Sequence, residues 1–152
     1  MIYTDKTKLA MRVAYKAHDG QVDRTGVPYI FHPLHLAEQM DTEDACVVAL
    51  RHDVIEDSEI TLEDLRDMGF SEVQLEGVRL MTHIPPSEEL TESEKLEEYL
   101  DYVRRIKPNE LAKQVKLADL KHNSDPGRQL EDTEINRIRL EKYKKALEIL
   151  TS

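Results

Sequence analysis

Four ionisable residues within six positions, His52, Asp53, Glu56 and Asp57, follow directly on the apolar run "ACVVAL". Imidazole and carboxylate groups together form a ligand set for divalent transition ions such as Mn, Fe, Co or Zn, and carboxylates also serve as general acids and bases. An ionised carboxylate taken from water without a partner costs on the order of several kcal/mol, so the cluster needs a cation, a hydrogen-bond network or solvent. Two further stretches supply groups of the same kind. "YIFHPLH" carries His32 and His35 after a glycine-proline loop, and "VKLADLKHN" sets Asp119 in an apolar helical context where an unpaired acid would be anomalous. Taken singly, each has a plainer reading: a solvated helix end at "EDSE", a helix-face position for His35, and neutralisation of Asp119 by Lys116 or Lys121.

The elements that must position these groups are helical, because apolar residues recur at three-four spacing with little β-branched alternation. The pattern predicts helices over residues 5–18, 32–40, 42–57, 61–69, 71–83, 94–106, 109–120 and 133–150, with Thr42, Thr61 and Ser71 as N-caps. Residues 19–30, with two glycines and a proline, read as a loop, and residues 85–95 as a polar, flexible connection. On one continuous helix over 42–57, His52 and Glu56 would stand about 40° apart, as would Asp53 and Asp57, placing all four along one side. The expected fold is all-α, a single compact helical bundle forming one domain over residues 1–152.

Composition narrows the function classes. A net charge of −10 argues against binding a nucleic-acid polymer, and no apolar stretch reaches the length of a membrane span. "MIYTDKTKLA" lacks the pattern of a secretory leader and Cys46 stands alone, so a reducing cytoplasm is the expected location. Charge is also unevenly placed: residues 41–100 hold 18 acidic against 4 basic side chains, and residues 101–152 hold 12 basic against 9 acidic. The basic part can offset an anionic ligand in an otherwise acidic protein.

The stretches "AHDGQ", "GVPYIFHP", "ALRHDVIED", "VKLADLKHN" and "RLEKYKKAL", in this order between residue 17 and about residue 147, resemble the HD-domain metal-dependent phosphohydrolases and, more narrowly, the hydrolase part of the RelA/SpoT alarmone enzymes. The resemblance implies an HD-domain helical bundle. It also implies one divalent metal ion, Mn ahead of Fe, Co or Zn, held by His32, His52, Asp53 and Asp119, with Glu56 and Asp57 as the catalytic pair. Arg24, Asn123 and Tyr143 would contact a small-molecule nucleotide. The implied reaction removes the 3′-diphosphate from guanosine tetra- or pentaphosphate, giving GDP or GTP and pyrophosphate. With the sequence closing at Ser152, a stand-alone hydrolase without a synthetase domain is expected, and self-association into a homo-oligomer is left open.

This chain departs from the family pattern at three places. Asp23 stands where relatives carry Arg, with Arg24 one position later; "KLADLK" replaces "KLADR"; and Arg51 precedes the signature histidine where an apolar residue is usual. Two alternatives therefore stay open: the same chemistry on another phosphoester such as a nucleoside monophosphate or NADPH, and a nucleotide-binding module without turnover.

Overall fold

Most amphipathic stretches preceded by Ser, Thr or Asn become helices in the computed structural model, which describes residues 1–129 and 131–152. Nine α-helices occur among the described residues: α1 (Asp5–Ala17), α2 (Phe31–Glu38), α3 (Glu43–Arg51), α4 (Val54–Asp57), α5 (Leu62–Asp67), α6 (Glu72–Met81), α7 (Glu92–Ile106), α8 (Glu110–Asn123) and α9 (Glu134–Thr151). A 3-10 turn at Pro126–Arg128 lies between α8 and α9, and one isolated antiparallel bridge joins Val22 to Pro28. The all-α expectation holds. Thr42, Thr61 and Ser71 cap α3, α5 and α6 as the sequence predicts, and Thr61 with Asp64 forms the reciprocal box.

Helix α3 is the hub. Every residue from Ala45 to Arg51 is buried, because α1, α2, α6 and α8 all pack on it. A helix apolar on every side has no other stable place. Helix α6 approaches it most tightly at Gly77, where a Cβ would stand 2.8 Å from Val48 Cγ2. The linker over 82–91 is irregular, and α7 begins at Glu92 rather than at 94.

The expected single helix over 42–57 does not form. The ring of His52 donates from Nδ1 to the carbonyl of Ala49 at 2.7 Å, taking the acceptor that the Asp53 N–H would use in a continuing helix. Asp53 turns to φ −107° and ψ 1°, and the chain restarts as the four-residue α4. His52, Asp53, Glu56 and Asp57 therefore do not share one side of one helix. Their convergence comes from the break.

Arg51 is the costliest residue of the core. Its side chain is fully buried with Nε, Nη1 and Nη2 all lacking a hydrogen-bond partner, and its guanidinium lies 3.9 Å over the ring of Phe70. Burial lowers its pKa to about 9. Replacing Arg51 by Leu is expected to stabilise the fold by about 1–3 kcal/mol, since it removes buried donors and keeps apolar volume. Thermal melts of the two proteins check this; a lower midpoint for Arg51→Leu would mean that the guanidinium has partners worth keeping.

Candidate active site and metal centre

The break after α3 sends two side chains toward α2 and α8. His32, in the first turn of α2, places Nε2 2.8 Å from Asp119 Oδ1 on α8. His52 Nε2 lies 2.9 Å from Asp53 Oδ2 and 3.5 Å from Asp119 Oδ1. Ligand atoms of His32, His52 and Asp53 all fall within 4.8 Å of one another, which makes them a possible divalent-metal triad, with Asp119 adjoining.

The donor set can be tested on His52. A carbonyl only accepts, so the bond to Ala49 places the ring proton on Nδ1 and leaves Nε2 of the neutral ring as a lone pair. That lone pair is buried, has no hydrogen-bond partner, and faces two carboxylates. Such an arrangement is repulsive unless a cation lies between the groups, so the residues fit a metal ion. Burial disfavours a charged His52 ring, but Asp53 and Asp119 reverse this and hold it well above the ordinary imidazole value. A divalent ion would take the place of that proton.

Outer partners orient the inner groups. The Tyr29 hydroxyl donates to Asp53 Oδ2, and Lys116 Nζ donates to Asp119 Oδ2 at 2.9 Å. The latter pair is the neutralisation anticipated for Asp119, made by Lys116, while Lys121 is exposed. Asn123 Nδ2 donates to Asp119 Oδ1 at 3.2 Å, and Arg128 Nη1 donates to Asn123 Oδ1 at 2.8 Å. His32 Nδ1 and His122 Nδ1 are 2.7 Å apart, within hydrogen-bond distance. Burial, then the charges of Arg128 and His32, lower the His122 pKa to about 4, so this ring is neutral and can accept. The exposed His35 ring lies outside it, tilted by 35° at 4.2 Å between centroids and off the His/Asp cluster, as its helix-face reading expects.

Beside the cluster opens a cleft of about 400 Å³. Asp53, Glu56 and Asp119 line it, as do Arg24, Asn123 and Tyr143. Glu56 accepts from the backbone N–H of His83, which opposes its main perturbation. Desolvation, reinforced by Asp53 and Asp57, raises its pKa to about 7. Asp57 is also raised, by desolvation and Asp53, and its carbonyl accepts from Gln21 Nε2 at 2.8 Å, which ties α4 to the end of α1. Asp57 does not line the cleft beside Glu56.

Two sequence departures have structural reasons. Asp23 Oδ1 accepts from the N–H of Thr25, the Thr25 hydroxyl and the N–H of Val27, so this carboxylate builds the loop while its neighbour Arg24 reaches the cleft. Leu120 is fully buried in the core and carries no information about a ligand. Sequence reasoning missed Tyr29, His83, Tyr99, Arg128 and Lys142, all of which line the cleft. Only for Tyr29 was there a local signal, its place in "GVPYIFHP" three residues before His32.

No protein-family profile matches the chain. A GTP pyrophosphokinase of Myxococcus xanthus is 34% identical over 126 residues, covering 78% of this chain and 17% of that protein. The bifunctional (p)ppGpp synthase/hydrolase SpoT of Escherichia coli K12 is 40% identical over 79 residues, 48% of this chain and 11% of its own. A guanosine-3′,5′-bis(diphosphate) 3′-pyrophosphohydrolase of Vibrio cholerae is 47% identical over 57 residues, 35% of this chain and 8% of its own. The chain thus spans less than a fifth of the length of these curated relatives. Among solved structures, a metazoan ortholog of SpoT, described as hydrolysing ppGpp with a role in starvation responses, superposes with a TM-score of 0.76 at 22% identity. It covers 99% of this chain and 88% of its own, which is a likeness of fold along nearly the whole length.

The chain is thus similar in sequence to RelA/SpoT alarmone enzymes and shares the fold of that SpoT ortholog. Its His52 and Asp53 are the two residues of the helix break, and no helix among the described residues is long and apolar enough to cross a membrane.

Tyr29→Phe removes the hydroxyl that holds Asp53 and leaves the ring. Its expected effect is a loss of about 10- to 100-fold in divalent-metal affinity, measured by calorimetric titration of the metal-free protein, with little change in fold. Unchanged affinity would show that Asp53 needs no orienting partner.

Proposed function

We propose that this chain is a metal-dependent phosphohydrolase that removes the 3′-diphosphate from guanosine tetra- or pentaphosphate, releasing pyrophosphate and GDP or GTP. One observation carries the reading: a cleft with the His/Asp cluster in its wall also gathers Arg24, Lys116 and Lys142, in a protein of net charge −10. Burial and then the neighbouring cations Arg139, Lys116 and Arg24 lower the Lys142 pKa, so these cations repel one another. A polyanion relieves that repulsion. The relatives named for guanosine-3′,5′-bis(diphosphate) 3′-pyrophosphohydrolase activity support the choice of substrate.

In this reading His32, His52, Asp53 and Asp119 hold one divalent ion, manganese, which supplies Lewis acidity and lowers the pKa of bound water. Tyr29, Lys116 and Asn123 keep the two carboxylates in place. Glu56, raised to about 7, retains a proton near neutrality and delivers it to the leaving 3′ oxygen. Asp57, which does not line the cleft, acts on the attacking water through Asp53, whose charge it feels. Arg24, Asn123 and Tyr143 contact the nucleoside end. The substrate is a small soluble nucleotide, and the site of action is the cytoplasm.

Incubating the manganese-loaded chain with guanosine tetraphosphate should release pyrophosphate and GDP. Absence of release with Mn, Co, Fe and Zn, alongside turnover of NADPH or a nucleoside monophosphate, would replace the alarmone with that substrate. Glu56→Gln is expected to lower kcat by about 10²- to 10⁴-fold while metal affinity holds. Because the protonated carboxyl is the active form, kcat/KM should fall as pH rises through the Glu56 pKa. A bound cation draws that value down, so the falling limb belongs at or below about pH 7. A limb that survives in Glu56→Gln would assign the proton to another group.

A further inference from the structure

We propose that Tyr99, Lys116 and Lys142 form a built subsite for a second phosphate, the one chained to the phosphate at the His/Asp cluster. The proposal rests on the polyphosphate reading above and deepens it, because such a subsite selects a diphosphate over a monophosphate ester. The three residues come from α7, α8 and α9, and all line the cleft.

Tyr99 is 8% exposed and its hydroxyl has no hydrogen-bond partner among the described residues. Buried hydroxyls in folded proteins are nearly always partnered, so an orphan of this kind is a donor awaiting an acceptor. Tyr99 lines the cleft together with Lys116, Asp119, Tyr143 and Glu56, the four residues whose charges act on its hydroxyl. Its neighbour Tyr102 is different. The Tyr102 hydroxyl donates to the Met81 carbonyl at 2.6 Å and is thereby explained by the fold alone.

Two ammonium groups lie over the Tyr99 ring. Lys142 Nζ lies 4.6 Å from the Tyr99 ring centroid and Lys116 Nζ lies 5.9 Å from it. Lys116 donates one N–H to Asp119, and an ammonium has three to give. A hydroxyl and two ammoniums match a group rich in acceptor oxygens and negative charge, which describes a phosphate. Since Lys116 lies over the Tyr99 ring and also donates to Asp119, the phosphate bound here adjoins the one at the cluster.

The test is calorimetric titration of the full chain carrying one equivalent of manganese, with inorganic pyrophosphate and inorganic orthophosphate as probes and metal content checked afterwards. Wild type should bind pyrophosphate more tightly than orthophosphate. Tyr99→Phe and Lys142→Met should each weaken pyrophosphate by about tenfold, as the loss of a hydrogen bond to a charged group implies, and leave orthophosphate within about twofold. Tyr99→Phe removes only an unpartnered hydroxyl, so its melting midpoint should equal or exceed that of wild type. Unchanged pyrophosphate binding in both variants, or equal weakening of both probes, overturns the subsite. Neither probe is a nucleotide. Failure of the alarmone reading would appear as absent turnover with pyrophosphate preference intact, whereas failure of the subsite would appear as turnover with no effect of the variants on that preference.

Discussion

The bond from His52 Nδ1 to the carbonyl of Ala49 is the contact on which the site depends. It ends the central helix, fixes the ring's tautomer, and turns Nε2 toward Asp53 and Asp119. Without it α3 would run on, and Asp53 and Glu56 would leave the wall of the cleft. The same short-range competition between a side chain and the helix backbone that makes a residue a poor helix former here serves as a hinge of the active site. Its rigidity comes from α3, buried all round, which gives the bond a fixed base.

A second constraint is electrostatic. The chain is strongly acidic, yet its cleft collects cations from four separate regions, the loop at Arg24, α8 at Lys116, the 3-10 turn at Arg128 and α9 at Lys142. In the cleft wall the cations therefore balance Asp23, Asp53, Glu56 and Asp119, unlike the chain as a whole. Asp23 shows how narrowly this is arranged. Its carboxylate is spent on the turn through Thr25 and Val27 and lies 3.6 Å from Arg128, so one acidic member of the cleft wall is already held by the loop.

Local features were the most legible in the sequence. Thr61 with Asp64 and Ser71 with Gln74 announce helix starts because a cap involves residues three apart. The residues of the His/Asp cluster were legible through their types and order, since few apolar surroundings tolerate His32, His52 or Asp119. The helix break was not, because a continuous three-four pattern across residues 42–57 gives no sign that a ring will take a backbone acceptor. Nor was the cation wall, whose members stand far apart in the chain and meet only once α7, α8 and α9 have packed. Arg51 and Leu120 were misleading for the same reason: each differs from its relatives' residue, but both point into the core, so neither difference reports on the ligand.

The central claim is that the lone pair of His52 and the carboxylates around it exist to hold a cation. Anomalous diffraction at the manganese edge, from crystals of the chain grown with that metal, tests this most directly. The account predicts one peak bounded by Nε2 of His32 and Nε2 of His52 and by oxygens of Asp53 and Asp119, with metal–nitrogen distances a little over about 2 Å. A peak elsewhere, or no peak with His52 Nε2 hydrogen-bonded to a carboxylate as a protonated ring, would contradict it.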